Sequence, residues 1–180
     1  MAYETIRYEK EDGICVITFN RPKVLNAFSK QAVEELTQAL DEITRDDEIT
    51  VFILTGGPAS DGRPCFSAGS DLKESIAGWP PRLIPLTAIQ SFWTGENIGE
   101  IFLDIEKCPK LSIAAVDGIC TGGGLELALS CDIILVSETA LISDLHVKNL
   151  GTIGGGAAAQ RLAWRVGVSK AIELCCTGDA

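Results

Sequence analysis

Two glycine-bearing loops are the places in this 180-residue chain where residue types and spacing suggest chemistry: Ser67-Ala68-Gly69-Ser70-Asp71 and Gly118-Ile119-Cys120-Thr121-Gly122-Gly123-Gly124. Each follows a strand-like run and leads into a helix-like one, the position where α/β sheets collect ligands. A backbone N–H at a helix start lacks an intrahelical partner and is positively polarised, and a missing Cβ lets a substrate oxygen come close. Two such donors aimed at one point form an oxyanion hole, in which each donor is worth roughly 3 kcal/mol of barrier. The same glycines would also serve as simple turns. Neither loop has the G-x-G-x-x-G or G-K-[ST] spacing of a nucleotide site.

Glu126 lies two residues beyond the second glycine run, inside the apolar stretch Leu125, Leu127, Ala128, Leu129. Burial would raise its pKa toward the range of a general base. The alternative is an acid placed in the first helical turn to complement the macrodipole. Cys120 and Cys131 flank this helix and read as packing residues. Trp79, Trp93 and Trp164 read as core or lid residues, with Trp79 in a position to face an acyl chain.

The elements that would carry these residues follow from the pattern. Thr5 to Lys10 and Ile14 to Phe19 flank Asp12-Gly13, a hairpin signature. Asn20-Arg21-Pro22 breaks the second strand. Ser29 then caps an amphipathic helix with Val33, Leu36, Leu40 and Ile43 on one face, ending at Asp46-Asp47. Thr50 to Thr55 reads as a strand buried on both faces, followed by a polar loop from Pro58 to Gly69 and a short helix beginning near Ser70. Trp79 to Pro85, with three prolines, is expected to be an irregular loop, and Leu86 to Lys107 an interrupted helix. Leu111 to Val116 is a strand, Gly118 to Gly124 a turn and Leu125 to Ser130 a helix. Short strands at Ile133 to Val136 and Ala140 to Ile142 precede helices at Ala157 to Arg165 and from Lys170 to Cys176. The order describes one α/β domain; strand-loop-Gly-helix recurs without a convincing sequence repeat.

Composition agrees with a folded globular chain: 46 % hydrophobic and 22 % charged residues. The net charge of −10 argues against nucleic acid or an anionic membrane as partner, although local cations and helix N-termini can still hold a phosphate-bearing ligand. The first residues lack the apolar core of a signal peptide, and no run reaches membrane-spanning length. Seven cysteines without a C-x-x-C pair suggest reduced thiols, a cytoplasmic location and no metal site.

Taken together, Asn20-Arg21-Pro22 with Asn26-Ala27, the run Phe66 to Glu74, Ala114 to Gly118 running through Gly122-Gly123-Gly124-Leu125-Glu126 to Cys131-Asp132, then Leu150-Gly151-Thr152-Ile153 and Gln160-Arg161-Leu162, resemble the crotonase or enoyl-CoA hydratase/isomerase family in order and spacing. The resemblance implies an α/β, ClpP/crotonase-type ββα superhelix, with residues 1–180 as a single core domain and the family's C-terminal helical part absent. It implies an acyl-CoA substrate, so that coenzyme A arrives with the substrate and no cofactor is permanently bound. Its oxyanion hole maps to the amides of Ser70 and Gly123. Its CoA-binding positions map to Arg21, Lys23, Ala27, Ala68 and Leu72, Lys23 being equally readable as a solvated surface lysine. A homotrimer or hexamer is implied for the full-length form.

Hydratases of the family use two acids. Glu126 matches the one that activates water. Counting back from Gly151 places Val147 at the second position, whereas counting forward from Ala140 places His146 there, as if one residue were inserted. His146 is the only histidine, and Asp144-Leu145-His146-Val147 resembles a pattern found in some relatives. His146 could act as the second acid/base or be a loop histidine without a role, and Asp144 is a further candidate for the same work. The implied activity is hydration of a 2-enoyl-CoA. Isomerisation, thioester hydrolysis, decarboxylation and non-catalytic CoA binding are the alternatives.

Overall fold

The computed structural model describes residues 3–75 and 98–180. The expected Trp79–Pro85 loop, the first part of the Leu86–Lys107 helix and the roles of Trp79 and Trp93 lie outside the described residues. The chain opens with the antiparallel hairpin β1 (Ile6–Glu11) and β2 (Ile14–Phe19). Asp12 and Gly13 both adopt positive φ, 49° and 79°, the conformation a two-residue turn requires for strands of normal twist. Helix α1 (Lys30–Arg45) starts where expected: the Ser29 hydroxyl accepts from Ala32 N at 3.1 Å. Its buried face carries Val33, Leu36, Leu40 and Ile43.

From β3 (Val51–Gly56) onward the chain alternates between two sheets. Strands β3, β5 (Leu111–Val116) and β7 (Ile133–Val136) join the hairpin in a five-stranded sheet of order β1-β2-β3-β5-β7, parallel beyond the hairpin. Strands β4 (Cys65–Ser67), β6 (Ile119–Thr121) and β8 (Leu141–Ser143) form a parallel three-stranded sheet. Helices α2 (Leu72–Ser75), α3 (Ile98–Lys107), α4 (Gly123–Ser130), α5 (Ala158–Val166) and α6 (Val168–Thr177) complete the described elements. Each turn is therefore strand, strand, helix, which is the ββα superhelix. The recurring strand-loop-Gly-helix of the sequence is this structural repeat.

Four expectations are corrected. The polar loop Pro58–Gly69 contains β4, and the glycine turn Gly118–Gly124 contains β6. β3 is closed on one face only: Phe52 and Leu54 are fully buried, but Val51 and Ile53 on the opposite face are half-covered. Trp164 is 80 % exposed, not a core residue. The core lies between α1, α3 and the sheets, around Phe52, Phe66, Phe102, Ile17 and Leu54. Phe19 packs edge-on against Phe28 and Phe66 at 5.2 and 5.5 Å.

Candidate active site

The loop after β4 is held by the segment after β2. Asn26, 1 % exposed, donates to Gly57 O and Cys65 O at 2.7 and 2.8 Å and accepts from Arg21 N at 2.9 Å. Ser67 Oγ donates to Asn26 O and accepts from Gly69 N. Phe28 N donates to Gly69 O, and Asp71 N donates to Phe28 O. In this parallel bridge between Phe28 and Ser70 the bonds go to the residues on either side of Ser70. The Ser70 N–H is thereby turned away from Phe28. The Arg21 guanidinium donates to Ala27 O and pairs with Asp71 Oδ2 at 3.1 Å, closing the brace.

The second loop meets the first at Gly69. With φ of 94° and an ideal Cβ position only 2.7 Å from Gly123 N and 2.9 Å from Thr121 O, Gly69 admits no side chain. Gly123 is the first residue of α4, whose opening intrahelical bond is Glu126 N to Gly122 O. Its own N–H belongs to the orphan donors of a helix start. Ser70 and Gly123 both line one pocket of about 80 Å³, together with Ala68, Leu72 and His146 among others. Arg21, Lys23 and Ala27 are outside that lining. Arg21 and Ala27 are bonded to each other, and Lys23 is exposed on the 3-10 turn Pro22–Val24.

Glu126 is fully buried beside this pocket. It does not cap its own helix: Oε1 accepts from Gly156 N, 30 residues away, at 2.8 Å. Burial pushes its carboxyl up to about 7, against the opposing pull of the His146 ring and of the Ala158 and Gly156 amides. Oε2 accepts no hydrogen bond among the described residues and lies 4.0 Å from His146 Nε2. The Gly156 carbonyl is in turn gripped by Arg161, which is 6 % exposed, pairs with Glu106 at 2.6 Å and lies over the Phe102 ring. The glycine cluster before α5 has a steric reason as well. An ideal Cβ on Gly154 would sit 2.5 Å from Glu126 Oε1 and 2.6 Å from His146 Cε1.

His146, 3 % exposed, faces Glu126 from the first position of a π-helical turn, His146–Leu150. The ring of His146, not the Val147 side chain, is the group that lies 4.0 Å from Glu126 Oε2. Nδ1 is 2.6 Å from Asp144 Oδ1, which also accepts the His146 backbone N–H at 3.1 Å. Burial works against the charged ring, but the hydrogen bond to Asp144 and the nearby Glu126 prevail and raise its pKa. Burial likewise opposes charge on Asp144, yet its bonds to His146 hold it below the usual carboxylate value.

Such a pair can exchange protons with a bound molecule: a buried carboxyl poised near neutrality faces a histidine ring across a gap that one water can bridge. The Cys120 and Cys131 thiols, each pushed up to about 12 by burial, are inert beside it. Among the described residues no cluster of His, Cys, Asp and Glu is arranged to hold a metal ion, and no helix is long and apolar enough to cross a membrane.

The enoyl-CoA hydratase/isomerase family model matches residues 9–180. A probable enoyl-CoA hydratase of Mycobacterium bovis is 35 % identical over 178 residues, 99 % of this chain and 63 % of its own length. The short-chain-enoyl-CoA hydratase of Clostridium acetobutylicum is 34 % identical over 99 % of this chain and 64 % of its own length. Among solved structures, an enoyl-CoA hydratase from Bacillus anthracis superposes with a TM-score of 0.82 at 33 % identity, over 97 % of this chain and 63 % of that one. An enoyl-CoA hydratase/isomerase from Xanthobacter autotrophicus Py2 gives 0.83 at 30 % identity, over 99 % and 61 %. The chain thus spans a little under two thirds of the length of these relatives.

Proposed function

The chain belongs to the enoyl-CoA hydratase/isomerase family, and from that premise we propose that it hydrates a 2-enoyl-CoA. The observation that carries this reading is the buried Glu126 carboxyl, 4.0 Å from His146 Nε2 and next to the pocket bordered by Ser70 and Gly123. The thioester oxygen lies between the Ser70 and Gly123 amides, where negative charge that develops on forming the enolate is stabilised by donors already in place. Glu126 Oε2 takes a proton from water as its oxygen bonds to the β-carbon. His146 Nε2 delivers a proton to the α-carbon. Ala68 and Leu72 line the acyl-CoA path, and exposed Lys23 supplies a cation for the CoA phosphates. Arg21 and Ala27 act through the loop that they brace.

Coenzyme A comes and goes with the substrate, the site is cytoplasmic, and the working form is a homotrimer or hexamer. The exposed apolar side chains on α5 and α6 support the last point. Isomerisation is the second reading, because the close Glu126–His146 pair could also carry a proton from one substrate carbon to another. Incubation with crotonyl-CoA, a 3-enoyl-CoA and a saturated acyl-CoA, with products separated by chromatography, distinguishes them. The 3-hydroxyacyl-CoA from crotonyl-CoA is expected as the main product. Conversion of the 3-enoyl-CoA to its conjugated isomer without hydration would replace the first reading by the second.

A further inference from the structure

We infer that Asp144 is a positioning residue that fixes His146 with its proton on Nδ1, leaving Nε2 as the single ring atom that exchanges protons at the site. The tautomer follows from geometry alone; the exchange with substrate rests on the hydratase reading. A neutral imidazole has one N–H, and the acceptor-only carboxylate of Asp144 lies 2.6 Å from Nδ1, so the proton belongs there. The same Oδ1 accepts the backbone N–H of His146 at 3.1 Å, tying ring and backbone to one atom. Asp144 is itself 2 % exposed and bonded from behind by the Cys175 thiol of α6. The ring has little space around it: an ideal Cβ on Gly154 would sit 2.6 Å from its Cε1, and one on Gly122 3.8 Å from Cε1 and Nε2. Among the described residues, the titratable groups that face the ring include Asp144 from the end of β8 and Glu126 from α4, while Lys148 on the same turn is exposed.

The assignment divides the work so that every proton is accounted for. In the reacting state Nδ1–H bonds to Asp144, Nε2 carries a second proton and Glu126 is ionised. Nε2–H gives its proton to the α-carbon while a water O–H breaks toward Glu126 Oε2 and the water oxygen bonds to the β-carbon. The proton on Oε2 then passes to Nε2 across the 4.0 Å gap, restoring both groups. The net change is addition of one water, and Asp144 never gives up or takes a proton.

Because the chain has one histidine, its two ring nitrogens can be followed individually by long-range ¹H–¹⁵N NMR of the labelled protein across a pH titration. The neutral ring is expected to show a protonated Nδ1 and an unprotonated Nε2. Asp144→Asn is expected to shift the ring titration to lower pH and to reduce kcat on crotonyl-CoA by on the order of 10²- to 10⁴-fold, with KM changed far less. Asp144→Glu should recover part of the rate. A neutral ring protonated on Nε2 in the unmodified protein would overturn the inference, as would an Asp144→Asn variant with unchanged ring titration and kcat. If the expected tautomer is found but no enoyl-CoA is hydrated, the hydratase reading falls while the placement of the proton stands.

Discussion

At the scale of single residues, Glu126 couples stability to function. The fold raises its carboxyl from 4.5 to about 7, so the folded protein binds that proton more tightly than the unfolded chain does. Its contribution is complete below pH 4.5 and is lost as pH rises through 7. The rise is equivalent to roughly 3 kcal/mol. Glu126→Gln keeps the side-chain shape without an ionising group. It is expected to be more stable than the unmodified protein at pH 8 by up to about 3 kcal/mol and no more stable near pH 4, measured by urea denaturation at both values. A site that costs the fold stability at working pH is what general-base chemistry at a buried carboxyl requires.

At the scale of elements, the loop Ser67–Asp71 depends on the stretch between β2 and α1. Asn26→Ala would leave the carbonyls of Gly57 and Cys65, both in a buried setting, and the half-buried amide of Arg21 without this partner. A loss of about 3 kcal/mol is expected in thermal or chemical denaturation, since each buried group left unsatisfied costs roughly 1–3 kcal/mol. A lower kcat should accompany it as the Ser70 amide loses its fixed aim. This stretch also shows what the sequence could and could not display. The hairpin turn, the Ser29 cap and the helix around Glu126 were legible because their signals are local. β4 and β6, three residues each, are too short for any periodicity. The π turn His146–Leu150 has no local sequence signal of its own. The bond from Gly156 to Glu126 spans 30 residues, and nothing in the local pattern of Gly154-Gly155-Gly156 specifies a carboxylate as its neighbour. Motif resemblance named Ser70, Gly123, Glu126 and His146 and offered Asp144 as a further candidate; only the fold shows the contacts of Asp144 with His146, of Arg161 with Gly156 and of Arg21 with Asp71.

At the scale of the whole molecule, α5 and α6 present Trp164, Val168 and Ile172 at 80, 66 and 60 % exposure on a chain of net charge −10. Apolar side chains this open, grouped on two adjoining helices, favour a covered state. Concentration-dependent association is expected in sedimentation velocity. Trp164→Glu should weaken it by about 2 kcal/mol, a roughly 30-fold rise in dissociation constant. Association that is unaffected by this change would place the interface elsewhere.

The central claim is that Glu126 and His146 act as one proton-handling pair beneath the Ser70 and Gly123 amides. It is tested most directly by hydration of crotonyl-CoA in D₂O by the unmodified protein, Glu126→Gln and His146→Gln. The unmodified protein should yield 3-hydroxybutyryl-CoA carrying one deuterium on the α-carbon, and each variant should lose on the order of 10²-fold or more in kcat. Full hydration rates in both variants, or acyl-CoA binding by the unmodified protein without any deuterated product, would contradict it.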